Sequence, residues 1–108
     1  MSDTLKVVSP VDGSIYAERT LATWREVDGA LSEAKQAQAA WKRVPLHERA
    51  ALCLRFVEAF VSMKDEIVPE LAWQMGRPVA FGAGEVRGFE ERARYMVAIA
   101  PEALADID

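Results

Sequence analysis

A chain of 108 residues, 51% hydrophobic and 28% charged, has the composition of one folded domain and excludes a disordered tail, a fibrous repeat, or a core with a separate catalytic domain beside it. Its 13 basic residues are outnumbered by 17 acidic ones, leaving −4, and the two signs interleave, so no concentrated positive surface is offered to a nucleic-acid backbone. No apolar run reaches bilayer length, Met1-Ser2-Asp3-Thr4 begins no secretory signal, and one cysteine closes no internal disulfide, which points to a cytoplasmic protein without a membrane partner.

In chain order, Leu5 to Thr20 is predicted as a β-hairpin. Val7, Val8, Ile15 and Tyr16 flank Ser9-Pro10-Val11-Asp12-Gly13, whose proline, aspartate and glycine suit a tight turn. A two-stranded ribbon is marginal alone and needs a surface to rest on. At Thr23 the period changes: Thr23 and Glu26 form a capping box, and Val27, Ala30, Leu31, Ala34, Ala37 and Trp41 recur at helical spacing to about Arg43.

Pro45 opens a second helix, Leu46 to Ser62, whose wide apolar stripe makes it the expected central element. A break is expected between Ser62 and Val68, because Pro69 is tolerated only near a helix start, and Gly76 with Pro78 ends the third helix near Met75. After a flexible lead-in at Gly82-Ala83-Gly84, a last helix is predicted from Glu85 to Ala100. Arg87 with Glu91, and Glu90 with Arg94, stand four apart on its wet side. Pro101 is expected to close it, leaving Glu102 to Asp108 as a frayed acidic tail.

The candidates for chemistry read mainly as structure. Cys53 lies between Leu52 and Leu54 in the most apolar helix and is expected to be buried and inert, since a nucleophile needs a neighbouring base or positive charge and partial exposure. His47, at a helix start without convergent ligands, reads as a surface residue, and no metal site is predicted. Gly82-Ala83-Gly84 lacks the full glycine pattern of a phosphate-binding loop. Glu85, Glu90 and Glu91 fall near arginines and read as solvated charge pairs, not as an acid and base couple.

The order of landmarks carries a family resemblance. Val8-Ser9-Pro10-Val11-Asp12-Gly13, then Val27-Asp28-x-Ala30 through Ala40-Trp41, then Pro45-Leu46-His47-Glu48-Arg49-Ala50, Gly76-Arg77-Pro78, Gly84-Glu85-Val86 and Arg94-Tyr95 together resemble the front of the aldehyde dehydrogenase superfamily. The resemblance implies a parent enzyme in which a cysteine thiolate attacks an aldehyde, hydride passes to NAD or NADP, and a glutamate activates water to release the acid. It supplies no catalytic and no cofactor-binding residue within this chain. It implies scaffold roles, with Trp41 anchoring a helix junction, and places Gly84 and Gly88 on the wall of a substrate entrance, the alternative being that both merely permit close packing or a loose helix start.

The expected fold is therefore α+β, mainly α: residues 1–22 a hairpin, 23–100 three or four packed helices, 101–108 a tail, all one partial domain. The function implied is the N-terminal part of an NAD(P)-dependent aldehyde dehydrogenase, not active by itself. The alternative is a free-standing helical interaction module, or a noncatalytic partner of a separately encoded remainder. In either case the apolar second helix with Trp24, Trp73 and Phe81 predicts self-association or capture by the missing remainder.

Overall fold

A computed structural model describes residues 3–107. Strands β1 (Thr4–Val8) and β2 (Ile15–Thr20) pair antiparallel, Thr4 opposite Thr20 and Lys6 opposite Glu18, with a bulge between Val7 and Val8. The turn is built by short polar side chains. Ser9, completely buried, donates its N–H to the Ser14 carbonyl at 2.8 Å while its Oγ accepts the Val11 N–H at 3.2 Å. The Asp12 carboxylate accepts both the hydroxyl and the N–H of Ser14, at 2.7 and 3.0 Å, and these bonds hold its carboxyl below the usual range. Gly13 takes φ 77°, a left-handed conformation suited to glycine.

Four helices follow: α1 (Trp24–Trp41), α2 (Leu46–Ser62), α3 (Lys64–Met75) and α4 (Val79–Ala103). The hairpin finds its surface on α3. The Tyr16 ring stacks on Trp73 with centroids 6.1 Å apart, and its hydroxyl donates to the Glu70 carboxylate at 2.8 Å. The sole residue between α2 and α3 is Met63, so the expected break falls there, and α3 continues through Pro69.

Two boundaries differ from the sequence expectation. Helix α4 starts at Val79, so Gly82-Ala83-Gly84 is helical and not a flexible lead-in. Pro78 at its N-cap presets the backbone, and the Phe81 N–H already donates to the Pro78 carbonyl at 2.9 Å. Pro101 does not close the helix. It lacks only its own bond back to Val97, and the Leu104 N–H restores the ladder by donating to Ala100 at 3.0 Å, so the supposed tail begins after Ala103.

The central element is α4 and not α2, because α4 packs against both α2 and α3 while those two barely touch each other. At this crossing Val57 and Val86 are buried. Phe60 and Phe89 pack with ring centroids 4.4 Å apart, and Phe56 meets Phe89 edge-on. The α3 contact is closest at Gly82. A Cβ built there lies 2.6 Å from Val68 Cγ1, so glycine is what lets the two helices approach.

Coverage is incomplete. The surface of 8924 Å² exceeds the roughly 6000 Å² of a folded protein of this mass, and the radius of gyration of 18.6 Å exceeds the ~13 Å of a compact domain. About half of the unfolded surface is buried, below the roughly two thirds usual for a compact chain of this size.

Helix α1 shows this most. It has no buried residue, and no other element packs along it, so its helicity rests on local chemistry. The capping box is formed: Thr23 Oγ1 accepts the Glu26 N–H at 3.3 Å, and the Glu26 carboxylate accepts the Thr23 N–H at 2.7 Å. The bond from the Thr23 N–H, then that from its hydroxyl, lowers the Glu26 pKa from 4.5. A carboxyl whose folded pKa is lowered stabilises above its unfolded value and loses that contribution as pH falls through the folded one. Far-UV circular dichroism should therefore show helix loss below about pH 4.5, and Glu26→Ala should begin with less helix at neutral pH and lose less on acidification. Identical acid curves for the two proteins would exclude the capping box as a titrating element.

Candidate functional site

The residues implicated at the substrate entrance, Gly84 and Gly88, lie one turn apart on α4. A side chain at Gly84 would meet only the Arg87 guanidinium, at 3.8 Å, and one at Gly88 would meet nothing within 4 Å. Neither glycine is required for packing within this chain. Gly88 borders a hollow of about 450 Å³ with Glu85, Phe89 and Arg92, open and rimmed by charge.

The loop leading into α4 is held by charge. Arg77 reaches Glu85 at 2.6 Å, and its guanidinium carbon sits 5.5 Å from the Phe81 ring centroid. Among the expected pairs, Glu90 with Arg94 forms at 3.0 Å, whereas Arg87 with Glu91 is not an ion pair among the described residues. Glu85 instead takes Arg77. Of the three carboxylates weighed for this helix, Glu85 and Glu90 each face a guanidinium.

Cys53 is exposed, against the expectation that it is buried. Leu52 and Phe56 are also exposed, at 44% and 60%, although Phe56 touches Phe89 edge-on. The thiol borders a hollow of about 240 Å³ with Trp41, Arg49, Met96 and Val97. Arg49 brings positive charge to this hollow, and its lining includes no histidine or carboxylate to act as a base. Trp41, half-buried here, does anchor the end of α1 to the seam between α2 and α4. His47 is exposed and lies 4.0 Å from Glu48.

A larger hollow of about 460 Å³ lies between the hairpin and α3, floored by Val7, Met63, Ile67 and Leu71. Its one well-placed carboxylate is already engaged. Glu70 accepts from Tyr16 and, at 2.6 Å, from Gln74, and those two bonds hold its carboxyl below its usual range, while the bond to Glu70 raises the Tyr16 phenol. Glu70 is a structurally decisive residue that the sequence reading did not single out, and Gly82, read only as part of a flexible lead-in, proves to be a packing residue; only pairing across elements reveals both roles.

Nor do these residues make a dinucleotide cradle. Gly82-Ala83-Gly84 is wound into helix, the space beside Gly82 is filled by Val68, and the nearby Arg77 is paired with Glu85. A phosphate-binding turn needs free backbone N–H groups between a strand and a helix, and among the described residues the strands are those of the distant hairpin.

Residues 1–106 match the family model described as the aldehyde dehydrogenase family. The chain belongs to that family. Over 90 residues it is 31% identical to malonate-semialdehyde dehydrogenase of Bacillus pumilus, covering 82% of this chain and 18% of that protein. The crystal structure of an NAD-dependent benzaldehyde dehydrogenase from Corynebacterium glutamicum superposes with TM-score 0.83 at 28% identity, covering 90% of this chain and 21% of that one. PnpE in complex with nicotinamide adenine dinucleotide gives TM-score 0.85 at 29% identity, covering 93% and 21%. The chain thus spans about a fifth of the length of its aldehyde dehydrogenase relatives and corresponds to their N-terminal part. No helix among the described residues is long and apolar enough to cross a membrane.

Proposed function

We propose that this chain is the scaffold-forming N-terminal segment of a cytoplasmic, NAD(P)-dependent aldehyde dehydrogenase that oxidises an aldehyde to its carboxylic acid, and that the segment performs no chemistry itself. The observation that carries this is the combination of family membership with an open surface. The chain builds the hairpin, the capped helices and the α4 crossing in full, yet leaves large side chains such as Phe56, Tyr95 and Met96 uncovered, as expected of a layer made to be packed upon. Within the parent enzyme, the turn from Gly84 to Gly88 forms one wall of the aldehyde's approach, where the absence of side chains leaves room.

The purified chain, mixed with a panel of aldehydes and either NAD or NADP, is expected to give no rise in absorbance from reduced nicotinamide. Reduction by this chain alone would overturn the scaffold assignment. The coding sequence beyond Asp108 is expected to continue into a strand-turn-helix nucleotide-binding pattern and, further on, a cysteine. Unrelated sequence there would favour the free-standing interaction module.

A further inference from the structure

We propose that Arg77 is a positioning residue for the aldehyde's approach: by holding back the Glu85 carboxylate, it keeps the wall from Gly84 to Gly88 open. The proposal rests on the entrance role given to that wall.

The backbone on either side aims Arg77. Gly76, left-handed at φ 73°, ends α3, and Pro78, at φ −55°, caps α4. The guanidinium is then held at three places. Its Nη2 donates to Glu85 Oε1 at 2.6 Å, its central carbon lies 5.5 Å from the Phe81 ring centroid, and its Nε is buried, with no hydrogen-bond partner among the described residues. An exposed ion pair of freely moving side chains contributes little, because both must be immobilised to make it. Here the guanidinium is already fixed by packing, and only the carboxylate remains to be captured.

Capture matters because a second guanidinium competes for Glu85. Arg92 has no ion-pair partner among the described residues, and with Glu85 it borders the hollow of about 450 Å³ beside Gly88. Seven positions apart, the two residues stand two turns from each other on one face of α4, about 10 Å along the axis. Side chains of these lengths can close that gap. A Cβ at Gly88 would meet nothing within 4 Å, so the path between them is clear. The other charges are engaged or turned aside: Glu90 pairs with Arg94, the Arg87 guanidinium lies against Gly84, and Glu91 falls on another face of the helix. Released from Arg77, Glu85 swings across to Arg92 and bridges the hollow over Gly88, where the wall carries no side chain.

The first test uses this chain alone. In isotope-labelled protein, the Arg92 Nε–H nuclear magnetic resonance signal is expected to shift in Arg77→Met and to return when Glu85→Ala is added. Arg77→Lys keeps a cation within reach of Glu85 and should leave the signal in place. Far-UV circular dichroism checks that the variants fold, and Arg77→Gln replaces Arg77→Met if that protein does not. The second test uses the complete dehydrogenase encoded when the reading frame is followed past Asp108. There Arg77→Met is expected to raise KM for aldehydes about fivefold, with kcat and the KM for the nicotinamide cofactor little changed, and adding Glu85→Ala should bring KM back. A pair that only braces the fold predicts a double variant no better than the single one, and that result would overturn the proposal. An unmoved Arg92 signal would overturn it whatever the parent enzyme is. A signal that moves while KM does not would also overturn it, by showing that this wall is not the aldehyde's approach. Downstream sequence that encodes no dehydrogenase would overturn both the proposal and the scaffold reading beneath it.

Discussion

Gly82→Ala is expected to destabilise the chain, although alanine is ordinarily the better helix former. In an exposed helix interior the exchange gains about 1 kcal/mol. Here the added methyl would sit 2.6 Å from Val68 Cγ1 and 3.3 Å from Val68 Cβ, and the Val68 side chain, branched at Cβ on a packed helix, has little freedom to turn away. Overpacking of this kind costs roughly 1–3 kcal/mol. So short a contact belongs at the upper end, leaving a net loss of about 1–2 kcal/mol and a melting temperature lower by several degrees. Gly88→Ala, in the same helix but with nothing within 4 Å, is expected to raise the melting temperature instead. Val68→Ala in the Gly82→Ala background removes the obstructing methyls and should return much of the loss. If the two glycine variants melt alike, the closest approach of α3 and α4 is not at Gly82.

That contrast shows what a sequence can and cannot disclose in this fold. Features fixed by neighbours along the chain were legible: the capping box of Thr23 and Glu26, the turn at Gly13, the stop at Gly76, the break at Met63. Features fixed by which faces meet were not. Gly82, Gly84 and Gly88 are alike as letters, and only the crossing of α3 over α4 makes the first obligatory. Cys53 sits in a run of apolar residues that implies burial, yet beside Met96 and Val97 it stays exposed because the hollow between α2 and α4 is open there. The same holds for the central element: α2 has the wider apolar stripe, but α4 runs between two partners. The family was legible from the order of short motifs, each a piece of local stop or start chemistry. The entrance role of Gly84 and Gly88 is a matter of the surrounding enzyme and remains a proposal.

Gly76→Ala is expected to cost more than Gly82→Ala, because two independent terms add at one residue. Gly76 adopts φ 73° and ends α3 by donating its N–H to the Ala72 carbonyl at 2.9 Å, while the Arg77 N–H donates to Leu71 at 3.3 Å. A residue with a Cβ in this left-handed conformation loses about 1–2 kcal/mol. The new methyl would also lie 3.0 Å from Cγ of Pro10, tighter than normal contact, at the point where the hairpin turn seats on the end of α3. Relief by backbone movement would displace Arg77, whose pair with Glu85 and position over Phe81 hold the start of α4. The combined loss is expected to be about 2–3 kcal/mol, read as a lowered midpoint in urea or thermal unfolding. Adding Pro10→Ala should recover only the steric share, since it leaves the left-handed strain in place. Full recovery would show that the crowding against Pro10, and not the backbone conformation, makes glycine necessary there.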